Sequence, residues 1–257
     1  MLAERYDAFL FDLDGVLYRG AEATPGAAAA LARLRAAGKG LAFVTNNSSR
    51  TPEDVADHLS SLGVVASPAE VETSSLVTAS LLRERGVATA FVVGETGLTT
   101  ALREHGIETI GEPDRADVVV VGWDRSADYA KLRTASLLVQ RGASLVATNA
   151  DASFPAPDGL WPGAGALLAV IETTTGVSAE VIGKPHAPIF LAALERAGGG
   201  RPLVIGDRLD TDIAGAAALG WDSLLVLTGI STSDEAAVAT QRPTHVGKDL
   251  MVLFDDA

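Results

Sequence analysis

The chain has 257 residues, 47% hydrophobic and 21% charged, a balance that fills one large core or two smaller ones. Its formal net charge of -13 argues against a nucleic-acid or anionic-membrane surface, because such partners need a basic face. It contains no cysteine, which excludes disulfides, thiolate zinc sites and a cysteine nucleophile.

A small anionic substrate stays compatible with this charge, since the potential inside a cleft can oppose the overall sign. The four histidines, His58, His105, His186 and His245, are scattered, so transition-metal ligation by histidine is not expected. The first residues lack the charged, apolar and small-residue order of an export signal. No apolar stretch approaches the roughly 18 residues of a membrane span. The sequence therefore predicts a cytoplasmic protein.

In chain order, short apolar runs alternate with alanine- and leucine-rich helical patterns. The predicted strands are Ala8–Phe11, Leu41–Thr45, Thr89–Val93, Asp117–Gly122, Ser144–Thr148, Leu203–Gly206 and Ser223–Thr228. They are nearly continuous in apolar residues, the pattern of parallel strands covered on both faces. The predicted helices include Gly26–Ala37, Thr51–Leu62, Ser126–Arg141, Pro188–Ala197 and Thr211–Leu219. Several open on a capping residue or proline and close on glycine, as "TPEDVADHLSSLG" does. The alternation predicts an α/β fold. The units fall into two groups: an outer domain of residues 1–84 and 182–257, and a middle domain, 85–181, inserted into it.

Open parallel sheets place ligands beyond the carboxyl ends of their strands, so the residues just after each run matter most. Asp12 and Asp14 follow the first run. Thr45, Asn46 and Asn47 follow the second. Asp207, Asp210 and Asp212 follow "LVIG", and Lys184 stands in "IGKPH". Such carboxylates cannot all ionise together without a counter-charge. A hard divalent cation, magnesium above all, supplies one through oxygen ligands. With Lys184 it would attract a phosphoryl group. Asp12 could then attack phosphorus, and Asp14, two residues on, could protonate the leaving alkoxide and later activate water.

Four signatures in order, "DLDGV" (Asp12–Val16), "VTNNSSR" (Val44–Arg50), "GKP" (Gly183–Pro185) and "GDRLDTDI" (Gly206–Ile213), resemble those of haloacid dehalogenase (HAD) superfamily phosphatases. The stretch Ala147–Gly176 resembles the C2-type cap of the NagD-like, p-nitrophenylphosphatase-like branch. The resemblance implies a Rossmann-like core with an inserted α/β cap and Mg2+ as the cofactor. It implies Asp12 as nucleophile and metal ligand, and Asp14 as general acid/base with its backbone carbonyl on the metal. Asp207 would be the further metal ligand. Thr45, Asn46 and Lys184 would hold the phosphate, with Asn47 and Asp212 in support. Asp14 separates hydrolysis of a phosphomonoester from dehalogenase chemistry, because dehalogenase members lack an acid there.

Within the branch, the chain resembles actinobacterial glycerol-3-phosphate phosphatases, and also animal pyridoxal phosphate and phosphoglycolate phosphatases. The implied substrate is a small phosphorylated metabolite, glycerol 3-phosphate foremost. Alternatives are 2-phosphoglycolate, pyridoxal phosphate, a sugar phosphate or a nucleoside monophosphate. Phosphotransferase or phosphomutase activity and a non-catalytic phosphate binder are further alternatives. A homodimer would be typical of the branch, with neither nucleic acid nor membrane as partner.

Blander readings apply elsewhere. Arg208 and Asp210 suit a loop brace. "PGAGAL" (Pro162–Leu167) lacks the remaining residues of a nucleotide loop and suits a glycine-tight start of a helix. Asn149, Asp151 and Trp161 could touch substrate, Trp123 and Trp161 could equally be packing residues, and His186 suits a helix start.

Overall fold

The computed structural model describes residues 1–111, 114–156 and 158–255. Positions 112, 113 and 157 of the predicted middle domain, and positions 256 and 257 of the outer one, lie outside the described residues.

All seven predicted runs form strands. Six strands make one sheet, in the order His245–Gly247, Asp222–Val226, Pro202–Gly206, Ala8–Phe11, Gly40–Thr45, Val71–Thr73. The first strand, Ala8–Phe11, lies in the middle and is buried along its whole length. It pairs in parallel with Pro202–Gly206 on one side and Gly40–Thr45 on the other. Phe9, Phe11, Phe43 and Ile205 enter a core that also takes Leu31 and Leu34 from the helix Ala27–Ala36 and Leu59 from the helix Pro52–Ser61. Apolar side chains along a fully covered strand leave water on neither face, which is why this run reads as continuous rather than alternating.

A second sheet has the order Glu180–Val181, Ser144–Ala147, Val118–Val121, Thr89–Val93, Glu108–Thr109, with every one of these pairings parallel. Its core includes Phe91, Val119, Val121, Leu138, Leu145 and Ile171. Among the described residues, no helix is long and apolar enough to cross a membrane.

The chain divides into two compact units. One comprises Met1–Thr45, Pro52–Glu72 and Lys184–Ala257, and the other Asn46–Thr51 and Thr73–Gly183. The second unit therefore begins earlier than residue 85, and it takes a short piece of chain from within the predicted outer domain. The reason is visible in the hydroxyls of the helix Ser74–Glu84. Ser74 Oγ donates to the Asn46 carbonyl at 2.9 Å, and Ser75 Oγ donates to the Ser48 carbonyl at 3.0 Å. Ser48 Oγ accepts from the Trp123 amide at 3.0 Å, and the Ser49 carbonyl accepts from the Gly97 amide at 3.0 Å. The polar Asn46–Thr51 segment is thus tied by these hydrogen bonds into the second unit.

"PGAGAL" is the start of the helix Ala164–Thr175. Side chains at Gly163 and Gly165 would collide with the Asp151 and Ala150 carbonyls, so these glycines serve close backbone contact. His186 is the residue that precedes the helix Ala187–Arg196.

Ser48 is fully buried and is the acceptor for the Trp123 amide. Replacement of Ser48 by alanine leaves that amide without its acceptor and is expected to cost about 1–3 kcal/mol. Urea unfolding of S48A measures the loss. An unchanged midpoint would show that this hydrogen bond does not hold the segment.

Candidate active site

Register brings three strand ends to one level. Phe11 lies opposite both Ile205 and Phe43, and Gly206 lies opposite Leu225. The next residue after Phe11 is Asp12, whose amide donates to the Ile205 carbonyl at 2.8 Å. Asp207 follows the end of Pro202–Gly206 directly. Beyond it, the chain makes one wide helical turn, Leu209–Ile213, before the helix Ala214–Ala218. That turn carries Asp212 into the buried interior.

Lys184 joins these acids. Its Nζ donates to Asp12 Oδ1 at 2.5 Å and to Asp212 Oδ1 at 2.8 Å. The lysine is only 5% exposed. Carboxylate oxygens of Asp12, Asp207 and Asp212 all lie within 4.8 Å of one another. Three carboxylates therefore face one ammonium, and full ionisation leaves two uncompensated negative charges.

The protonation equilibria follow from this crowding. Burial pushes Asp12 up to about 6, and the Asp207 charge adds to the rise while Lys184 opposes it. Burial also raises Asp207 to about 6, with repulsion from Asp212. Asp212 reaches about 6 for the same first reason, burial, with Lys184 pulling the other way. Burial alone would depress the Lys184 ammonium, but the Asp12 and Asp212 carboxylates outweigh it and hold its pKa above the ordinary lysine value.

Asp14 has a different environment. It is exposed, and its Oδ2 accepts from the Tyr18 hydroxyl at 3.2 Å. The two acids of "DLDG" thus part company: one enters the buried cluster, while the other stays on the turn and accessible. Gly15 completes that turn with φ of 77°, a left-handed conformation that suits glycine.

Thr45 ends the Gly40–Thr45 strand and is buried. Asn46 belongs to the second unit, where its Nδ2 donates to Asp151 Oδ2 at 3.2 Å. Its carbonyl accepts from Asn149 Nδ2 at 2.8 Å. Asn47 Oδ1 accepts from the Ser49 amide at 3.0 Å and hydroxyl at 2.7 Å, a local turn-forming role. Arg208 grips Asp210 with two hydrogen bonds, of 3.0 and 2.7 Å, and braces the loop. Trp123 stacks on Phe154 with ring centroids 4.1 Å apart, and its Nε1 donates to the Pro162 carbonyl at 3.0 Å. Trp161 is half-exposed, with Nε1 donating to Asp158 at 2.8 Å.

One part of the site escaped the sequence reading: the turn after Asp222–Val226. The Ile230 amide donates to Asp207 Oδ2 at 2.8 Å, and the Ser231 amide donates to the Asp207 carbonyl at 3.0 Å. The signal was present, because "LVLTG" is a further apolar run ending in polar and small residues.

Lys184 supplies the counter-charge to Asp12 and Asp212 in this cluster. Removing one partner of a buried ion pair costs about 3–5 kcal/mol, so K184M should be destabilised by about that much near pH 7. The loss should shrink as pH falls below about 6, where the raised carboxylates take up protons. Thermal unfolding across that range checks it, and equal loss at both ends would contradict it.

A family model described as haloacid dehalogenase-like hydrolase matches residues 9–108, and one described as HAD-hydrolase-like matches residues 181–253. An acid sugar phosphatase of Staphylococcus aureus is 40% identical over 250 residues, 96% of each chain. A crystal structure of a glycerol phosphate phosphatase from Mycobacterium tuberculosis in complex with magnesium matches with a TM-score of 0.94. Its identity is 38%, over 99% of this chain and 78% of that one. NagD from Escherichia coli K-12 matches with a TM-score of 0.90 at 33% identity, over 97% and 98% of the two chains. The strand-end acids, the buried lysine and these likenesses agree: the chain belongs to the haloacid dehalogenase-like hydrolases, in the NagD-like branch, and is a phosphoric monoester hydrolase.

Proposed function

We propose that the protein is a magnesium-dependent phosphatase of a small polyol or sugar phosphate, glycerol 3-phosphate foremost, working through an aspartyl-phosphate. The observation that carries this reading is the Asp12 carboxylate, held by buried Lys184 within a cluster of three acids. The names of the relatives, an acid sugar phosphatase and a glycerol phosphate phosphatase, support the substrate class. A cytoplasmic setting belongs to the same proposal.

The residues fit a divalent cation on two counts. The charge left over after Lys184 equals that of one such ion. Asp207 Oδ1 is buried and has no hydrogen-bond partner among the described residues, which is the state of an oxygen reserved for a ligand. Asp12 and Asp207 would hold magnesium with the Asp14 backbone carbonyl, and Asp212 would order its water shell. Once bound, the ion would offset the negative charge of the phosphoryl oxygens and of Asp12.

In this mechanism Asp12 attacks phosphorus, forming a carboxyl–phosphorus bond as the phosphorus–alkoxide bond breaks. Asp14 gives the departing alkoxide its proton. The resulting Asp14 carboxylate takes a proton from water, whose oxygen attacks the phosphorus of the aspartyl-phosphate. Phosphate leaves and Asp12 is restored as a carboxylate. Lys184 neutralises Asp12 and the phosphoryl group. Thr45 and Asn46 would donate hydrogen bonds to the phosphate oxygens. Exposure suits Asp14 to this work, since the alkoxide departs to, and the water arrives from, outside the buried cluster.

Two measurements test the proposal. Across glycerol 3-phosphate, 2-phosphoglycolate, pyridoxal phosphate, sugar phosphates and nucleoside monophosphates, kcat/KM should be highest for glycerol 3-phosphate. A nucleotide or pyridoxal phosphate at the top would overturn the substrate class. D12N should fold, since it relieves charge crowding, and should lose about 10^4-fold or more in turnover. Phosphate release by D12N at the wild-type rate would reject Asp12 as nucleophile.

A further inference from the structure

Asp207 is held asymmetrically. Its Oδ2 takes the Ile230 amide at 2.8 Å and lies against Gly15 and Gly229. A Cβ on either glycine would collide with this carboxylate. Its Oδ1 is buried without a hydrogen-bond partner among the described residues. One oxygen is gripped and the other presented.

The grip comes from a turn on a neighbouring strand. Thr228 Oγ1 donates to the Gly15 carbonyl at 2.5 Å. Ser231 adds two contacts, its amide to the Asp207 carbonyl at 3.0 Å and its Oγ accepting from the Leu209 amide at 3.2 Å. The turn therefore bridges the two loops that carry the acids, "DLDG" on one side and "GDRLD" on the other. Gly229 fits between them because it has no side chain.

We propose that Thr228–Ser231 is a positioning clasp for the metal ligand: the Thr228 hydroxyl locks the turn to Gly15, and so aims Asp207 Oδ1 into the carboxylate cluster. Thr228 acts through Gly15 and Asp207 and is a positioning residue. The inference rests on the magnesium reading above. Groups that orient metal ligands commonly set affinity by one to two orders of magnitude.

The test uses the metal-free full-length chain and Mg2+ alone, without substrate. Calorimetric titration and the Mg2+-induced rise in Tm are read for wild type, T228V, T228A and T228S. T228V and T228A should raise the Mg2+ Kd about tenfold or more and shrink the rise in Tm, and T228S should restore both. A hydroxyl with a merely structural role would lower the Tm of the metal-free protein and leave the Kd unchanged. The clasp is overturned if T228V or T228A folds and binds Mg2+ as tightly as wild type. It is equally overturned if both fail to fold while T228S folds, because the hydroxyl then serves stability. A wild type that binds no Mg2+ sinks the magnesium reading together with the clasp, whereas equal binding by wild type and T228V sinks the clasp alone.

Discussion

Lys184 lies between Asp12 and Asp212 in a place that water hardly reaches, and the site is built around that contact. A buried ion pair gains little over apolar packing, because both charges give up hydration. Here the balance is worse still, since a third carboxylate, Asp207, shares the space. The chain tolerates this by raising the acids to about 6 and by placing the lysine where it serves two of them. Such an arrangement stores an unmet demand for positive charge. That demand is the physical link between the fold and a reaction on a phosphate ester.

The sheet makes the arrangement possible. A central parallel strand, covered on both faces, has no freedom to slide, so the residue after Phe11 is delivered to one spot. Its neighbour in the sheet delivers Asp207, and the wide turn behind it folds Asp212 inward. The same rigidity separates the two acids of the first motif. Asp12 is fixed in the cluster, while Asp14, two residues further along, faces solvent. One short loop therefore supplies both a carboxylate turned into the cluster and an accessible one.

Much of this was legible in the sequence, for a definable reason. Strands buried on both faces announce themselves as unbroken apolar runs, and acids placed just after such runs are conspicuous. What stayed hidden had weaker local signals. The helix Ser74–Glu84 buries Ser74, Ser75 and Thr78, so its inner face does not read as apolar. The Ser74 and Ser75 hydroxyls instead bind the Asn46–Thr51 segment, a pairing set by tertiary contact and invisible to periodicity, while the Thr78 hydroxyl donates back to the Ser74 carbonyl. The strands Val71–Thr73 and His245–Gly247 are too short to show a pattern, and the first carries a buried Glu72 paired with Arg196. The turn at Thr228, although it follows an apolar run, went unread because it carries no acid of its own; its part is to hold Asp207, not to supply a charge.

A divalent cation held among Asp12, Asp207 and Asp212 would meet their joint demand for positive charge. Calorimetric titration of Mg2+ into the metal-free wild-type chain, near pH 7 and again near pH 5, tests it most directly. Protons and metal compete for the same oxygens, so about one ion should bind per chain near neutrality, and binding should weaken on acidification as protons must be displaced. No binding near pH 7, or binding of equal strength at both values, would contradict the account.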